Sequence, residues 1–255
     1  MTLRVDLNCD LGESLGPWRM GADEAVMPFI TSANVACGFH AGDPGTMRRT
    51  VELARRHGVA VGAHPGLPDL VGFGRRSMAL TPEEAYDLVL AQIGALAAFA
   101  KAAGAALQHV KPHGALYHMA TGDDALATAL VRATADAGAG LAFIGLPGSA
   151  LERAARAARL PFAAEAFADR AYQPDGSLVP RNEAGAVIAD PDEAAARAVT
   201  MICEGRVRAA SGAWVTLRPD TICLHGDGPT AVPMARTIRR AMDEAGVAVR
   251  ALWAE

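Results

Sequence analysis

The sequence predicts a closed parallel β/α barrel, and three observations carry that prediction. Short strand-like runs alternate with helical ones along all 255 residues, the pattern of parallel β/α architecture. The runs at 3–9, 32–37, 59–63, 107–111, 141–145, 161–166 and 221–224 make seven units. Several of them are also polar along one face, whereas the central strands of an open, doubly wound sheet lie under helices on both sides and read as unbroken apolar runs.

In the first strand Val5, Leu7, Cys9 and Leu11 alternate with Asp6, Asn8 and Asp10. Closure gives both sets a place: one face packs on a ring of helices, and the other points into the barrel, where it can be polar near the mouth. Asp6 and Asp10 then face inward. Asp6 lies deep enough to need a partner such as Lys111, because stripping one partner from a buried ion pair costs on the order of 3–5 kcal/mol.

Later elements follow in order. Asp43-Pro44 opens a helix with Met47, Val51 and Ala54 on one face and Gly58 past its end. Thr81-Pro82-Glu83-Glu84 supplies an N-cap, a first-turn proline and the acid of a capping box; Tyr86, Val89, Leu90, Ile93, Leu96 and Ala97 recur behind it, and Gly104 closes the helix. In the fourth strand region His109, Lys111 and His113 oppose Gln108, Val110 and Pro112. Asp190-Pro191-Asp192-Glu193 opens a further helix, Thr221, Cys223, His225 and Asp227 share one parity of the seventh strand, and Pro229 sits in the first turn of the last helix. No linker, composition break or close internal repeat divides the chain, so residues 1–255 are expected to form a single barrel domain.

Composition excludes several function classes. A net charge of −4 offers no field for nucleic acid or an anionic membrane, and 5% aromatic residues make no base-stacking platform. The four cysteines are far apart with no C-x-x-C pair, as expected of reduced thiols. The N-terminus carries Asp6, Asp10 and Glu13 where a signal peptide has an apolar core, and charge-free runs such as 25–42 are broken by Pro28, Asn34 and His40. A cytoplasmic protein with no membrane or nucleic-acid partner is expected.

Polar residues crowd just beyond the strands, in "NCDLGES" (8–14), "SANVACGFHAGDPG" (32–45), "GAHPGLPDLVGFGRR" (62–76), "HVKPHGALYH" (109–118), "EAFADRAY" (165–172) and "HGDGP" (225–229). Barrel enzymes build their sites from loops at that end. Five of the seven histidines (His40, His64, His113, His118 and His225) lie beyond the strands in these segments, whereas His109 is still within its strand and His57 is outside them. Asp10, His40, His64 and His225 have metal-ligand chemistry but no short H-x-x-x-H spacing, so a metal stays open. Lys111 is either a counter-ion to Asp6 or Asp10 or an electrophile for developing oxyanion charge. Arg75-Arg76 reads as a solvated pair or an anion clamp, and the helix starts at 41–45 and 226–229 offer N–H groups to a carboxylate or phosphate. There is no G-x-x-x-x-G-K-[ST] loop, no strand-borne G-x-G-x-x-G and no G-x-S-x-G elbow. The implied chemistry is acid–base and electrostatic, on a small anionic or amide-like substrate.

These six segments, spanning residues 3 to about 230, resemble the LamB/YcsF family. The resemblance implies an irregular, seven-stranded, TIM-like barrel related to glycoside hydrolase and deacetylase barrels. It implies ATP-coupled opening of the lactam of 5-oxoproline to L-glutamate, with ATP as co-substrate alongside Mg2+, no tightly bound cofactor, and 5-oxoprolinase subunits B and C as partners. On that reading Asp10 or His64 is the base, with Glu165 in reserve, and Lys111 and His113 stabilise the oxyanion. Arg170 or the Asp43-Pro44 helix start holds the substrate carboxylate, and Asn8, Asn34, His40, His225 and Asp227 are further substrate contacts. Two alternatives remain: a metal-dependent hydrolase or deacetylase acting alone, and a non-catalytic subunit that binds the lactam.

Overall fold

A computed structural model describes residues 3–225, 228 and 230–253 of the chain. The elements run β1 (Arg4–Leu11), α1 (Asp23–Val26), β2 (Ser32–Ala36), α2 (Pro44–His57), β3 (Ala60–His64), α3 (Pro82–Ala102), β4 (Leu107–Val110), α4 (Gly114–Gly122) and α5 (Asp124–Ala137). They continue with β5 (Ala142–Gly145), α6 (Ala150–Ala157), β6 (Phe162–Phe167), α7 (Pro191–Glu204), β7 (Arg206–Arg208), β8 (Trp214–Thr216), β9 (Thr221–His225), α8 (Ala231–Glu244) and β10 (Ala248–Val249). Strands β1 to β6 pair in parallel in sequence order, β6 pairs with β9, and β9 returns to β1, so seven parallel strands close on themselves. The seven strand runs read from the sequence are these seven.

Three pieces carry no strong sequence signal. The two-residue β10 extends β1 beside Arg4 and Val5, and β7 and β8 form an antiparallel hairpin outside the barrel. All three strands are two or three residues long, too short for a period to register. The Pro229 and Asp227 readings fall outside the described residues.

The helices begin and end as their sequences dictate. Asp43 caps α2 by accepting from Thr46 N, and Gly58 closes it in the left-handed region at φ 67°. Thr81 and Glu84 form a reciprocal capping box on α3. The outward strand residues, among them Leu7, Val35, Val61, Val110, Phe143 and Ile222, are buried against Val51, Val89, Ile93, Leu130 and Ile238 of the helix ring. Each such side chain contributes roughly 1.5–3 kcal/mol when withdrawn from water. By length and composition alone α3 is apolar enough to cross a bilayer, a property that charge-free runs in the sequence do not register. Here Val89, Ile93 and Leu96 bury one face of it on the barrel wall and α5.

Inside the barrel, register aligns Asp6 with Thr221, Asp10 with both Asn34 and His225, Asn34 with Gly62, and Gly62 with His109. The polar parity of these strands therefore points to one axis. Gly62 faces the His109 imidazole so closely that a Cβ there would overlap the ring. Gly62→Ala is therefore expected to cost about 1–3 kcal/mol in urea unfolding, as overpacking does. Gly94→Ala, on α3 with no neighbour within 4 Å, is expected instead to stabilise by about 0.5–1 kcal/mol.

Candidate active site

Three strata fill the barrel from bottom to mouth. At the bottom Asp6 accepts hydrogen bonds from the hydroxyls of Thr31 and Ser32, both at 2.7 Å, and of Thr221 at 2.5 Å. Burial raises its pKa against those hydroxyls. The expected Asp6–Lys111 pairing is thus corrected: three hydroxyls at the strand starts solvate Asp6, and the lysine belongs one layer higher.

In that middle layer Lys111 Nζ lies 2.9 Å from Asp10 Oδ1 and 2.8 Å from Glu165 Oε1, and donates to Asn8 Oδ1 at 3.2 Å and Cys223 Sγ at 3.0 Å. Burial works against the ammonium, yet Asp10, Cys223 and Glu165 together carry its pKa well above the usual lysine value. Burial likewise opposes the Asp10 carboxylate, and His64 and Lys111 overcome it, holding Asp10 well below the ordinary carboxylate range. Asn34 Nδ2 donates to Asn8 Oδ1 at 2.7 Å and Asp10 Oδ1 at 2.8 Å. Its Oδ1, 2.8 Å from His109 Nε2, therefore accepts from the imidazole. Asn8, Asn34 and Glu165 are fully buried beneath the cavity and are not among its lining residues. Lys111 is thus placed as a counter-ion to Asp10 and Glu165, and it also lines the cavity above.

The mouth opens into a cavity of about 540 Å³ whose lining includes Asp10, His64, His113, His118, Arg170 and His225. Strand β3 delivers His64, and the buried Gln92 of α3 clamps the loop beyond it: Gly66 N donates to Gln92 Oε1 at 2.9 Å and Gln92 Nε2 to Gly66 O at 3.0 Å. His64 Nδ1 is 2.7 Å from Lys111 O and must donate to it, which leaves Nε2 facing Asp10 Oδ2 at 3.3 Å. Across the cavity His225 Nδ1 lies 2.6 Å from Asp169 Oδ2. Two imidazole–carboxylate pairs thus border one space, the arrangement that orients a histidine for proton transfer.

Arg75, Arg170 and Arg181 line the same cavity. Arg170 donates through Nη2 to Val179 O at 2.7 Å and through Nε to Ala186 O at 3.3 Å, which fixes the loop forming one wall. Burial and the nearby Arg181 lower its pKa to about 10, still charged at neutral pH. Of Arg75-Arg76, only Arg75 lines the cavity; Arg76 pairs with Asp69. The Asp43-Pro44 helix start is corrected as an anion site, because the Asp43 carboxylate already accepts from Thr46 N and Gly16 N. His40 is 1% exposed and sits behind His113, stacked on it at 3.8 Å, so it does not touch the cavity.

Sequence reasoning missed Asp169, Glu13 and His109. Asp169 carries no distinguishing signal within its segment, and the structure sends its carboxylate to His225 while the neighbouring Arg170 guanidinium goes to carbonyls. Glu13 is buried 3.8 Å from both His40 Nε2 and His113 Nδ1. It follows Gly12, whose φ of 70° ends the strand, so the alternation that selects residues 6, 8 and 10 says nothing about it. His109 lies within its strand, apart from the strand-end histidines, and its shared parity with Lys111 is the signal that places it inside the barrel.

The LamB/YcsF family model matches residues 5–255. The chain belongs to the LamB/YcsF family. A relative from Tolumonas auensis, named as the A subunit of 5-oxoprolinase, is 56% identical over 249 residues, covering 98% of this chain and 99% of that protein. The crystal structure of a lactam utilization protein from Thermus thermophilus superposes with a TM-score of 0.94 at 53% identity, covering 98% of this chain and 100% of that one. In fold alone, this LamB/YcsF barrel also resembles a GH113 β-1,4-mannanase (TM-score 0.53, 13% identity) and the polysaccharide deacetylase Bc1974 from Bacillus cereus (TM-score 0.51, 13% identity). The barrel class and its likeness in fold to glycoside hydrolases and deacetylases are as the family resemblance implied.

Two outcomes follow for the network. Lys111→Met, which leaves Asp10 and Glu165 without their cation, is expected to destabilise by about 3–5 kcal/mol in chemical denaturation. Burial depresses the His109 pKa to about 3, below the unfolded value near 6.5, so its contribution is intact above pH ~6.5 and is lost as pH falls toward 3. That term amounts to about 5 kcal/mol across the window. Unfolding measured from pH 7 down to 4 is expected to fall more steeply for the native chain than for His109→Gln.

Proposed function

We propose that this chain opens the lactam of 5-oxoproline to L-glutamate, as the A subunit of an ATP-dependent 5-oxoprolinase acting with subunits B and C. The observation that carries this reading is the cavity itself: two imidazole–carboxylate pairs face a space edged by three guanidiniums. The names of the relative and of the solved structure supply the substrate class.

A five-membered lactam is a resonance-stabilised amide that water attacks poorly. Phosphorylation of its carbonyl oxygen by ATP removes that stabilisation and opens the carbon to water. The Asp10–His64 pair is placed to take the proton of the attacking water, and His225, held by Asp169, to protonate the departing ring nitrogen. The acyl phosphate so formed is cleaved by a second water to phosphate and glutamate. Arg170, with Arg75 and Arg181 nearby, suits the substrate carboxylate and any phosphoryl oxygens. The sequence has no phosphate-binding loop of its own, which favours nucleotide binding on a partner protein, with Mg2+ accompanying ATP there.

The test is 5-oxoproline-dependent phosphate and glutamate release by this chain, alone and with subunits B and C. Activity is expected only in the assembled complex. Asp10→Asn and His225→Gln are each expected to lower turnover about 10²-fold or more while leaving assembly intact. Near-native turnover in both variants, or lactam opening by the isolated chain without ATP, would refute the reading.

A further inference from the structure

His64 and His113 meet in a way their hydrogen bonds do not explain. His64 Nδ1 is 2.7 Å from Lys111 O, and His113 Nε2 is 2.8 Å from Phe73 O. A carbonyl only accepts, so both of those nitrogens carry hydrogen. In the neutral rings the other two nitrogens, His64 Nε2 and His113 Nδ1, then present lone pairs to each other across 3.0 Å. Two lone pairs at that distance repel, so either a proton or a metal ion must lie between them.

Around this gap are the features of a ligand set. The two rings stand at 89° with centroids 4.9 Å apart, and their facing nitrogens approach to 3.0 Å. Glu13 Oε1 is 3.8 Å from His113 Nδ1, and one donor atom each from Glu13, His40, His64 and His113 falls within 4.8 Å of all the others. Donors about 2.0–2.1 Å from a tetrahedral zinc-type ion are separated by ~3.3 Å, a spacing bracketed by the 3.0 and 3.8 Å seen here. Each imidazole anchors its far N–H on a main-chain carbonyl, which is how metal-ligating histidines are oriented. An independent sign comes from His40: both of its ring nitrogens are buried without a hydrogen-bond partner, and Nε2 lies 3.8 Å from the same Glu13 oxygen.

We propose that His64 Nε2, His113 Nδ1 and Glu13 Oε1 bind a divalent transition-metal ion of the zinc class. His40 is not a ligand in this arrangement, because its ring lies parallel to His113 at an interplanar angle of 4° and the two planes do not meet at the ion. A water held by the ion gives His40 Nε2 the partner it lacks. With the ion bound, His64 no longer serves as a base, and Asp10 alone of that pair takes the proton. The site stands on this geometry and goes beyond the lactam reading.

The experiment is metal uptake by the full chain, stripped with chelator and dialysed against Zn2+ or Co2+ alone, read by elemental analysis and by visible absorption of the cobalt form. One retained ion per chain is expected, with the spectrum of a tetrahedral nitrogen–oxygen site. Glu13→Gln and His113→Gln are expected to weaken uptake 10-fold or more, and His57→Gln, at the exposed end of α2, to leave it unchanged. Imidazole 15N resonances of the native chain locate the ion without relying on a variant's folding: His64 Nε2 and His113 Nδ1 are expected to shift on zinc addition. No retained ion, uptake undiminished in folded variants, or unshifted His64 and His113 resonances would overturn the site and leave a shared proton between the rings. Since the readout is metal content, its failure is separate from any failure of the lactam assay.

Discussion

The buried ammonium of Lys111 is the constraint on which the rest of the barrel depends. Asp10 and Glu165 are carboxylates inside a closed sheet, where an unpartnered charge costs several kcal/mol. They are tolerable because one cation stands between them, at 2.9 and 2.8 Å. The same ammonium fixes Asn8, and through Asn8 and Asn34 the network returns to His109, two residues before Lys111 in the chain. Strands from both sides of the closure are joined by this one set of polar contacts, so register, charge and site geometry cannot vary independently.

The barrel is stratified as a consequence. Hydroxyls solvate Asp6 at the bottom, an amide and ammonium layer holds Asp10 from below, and imidazoles and guanidiniums occupy the mouth. The imidazoles and guanidiniums line the cavity, and Asp10 and Lys111 reach it from the layer beneath. A rigid underlayer suits proton-transfer chemistry, because a carboxylate anchored on one oxygen keeps the other aimed at its histidine.

Crowding of rings at the mouth also explains the chain's backbone peculiarities. A Cβ at Gly66 would collide with His40, and one at Gly74 with His40 and His113, so the strip between β3 and α3 needs bare backbone to let the imidazoles approach. Between Gly72 and Gly74 stands Phe73, held at a φ of 54° unusual for a bulky residue, with its carbonyl on His113 and its ring edge-on to His113 and His40. The strain is local to the cluster whose donors converge.

The alternation of polar and apolar residues was enough, by itself, to determine the closed barrel, its seven strands and the inward direction of Asp6, Asn8, Asp10 and Lys111. A strand's period is two, and burial on one face makes that period visible in the residues. The caps at Asp43, Thr81 and Asp190 were legible for the same local reason. Partnership was decided only in three dimensions. Asp6 met hydroxyls instead of Lys111, Asp169 found His225, and Glu13 reached His113 from beyond a glycine turn. Such choices depend on the depth of each residue along the barrel axis and on which strands lie opposite, and those distances exist only once the sheet has closed.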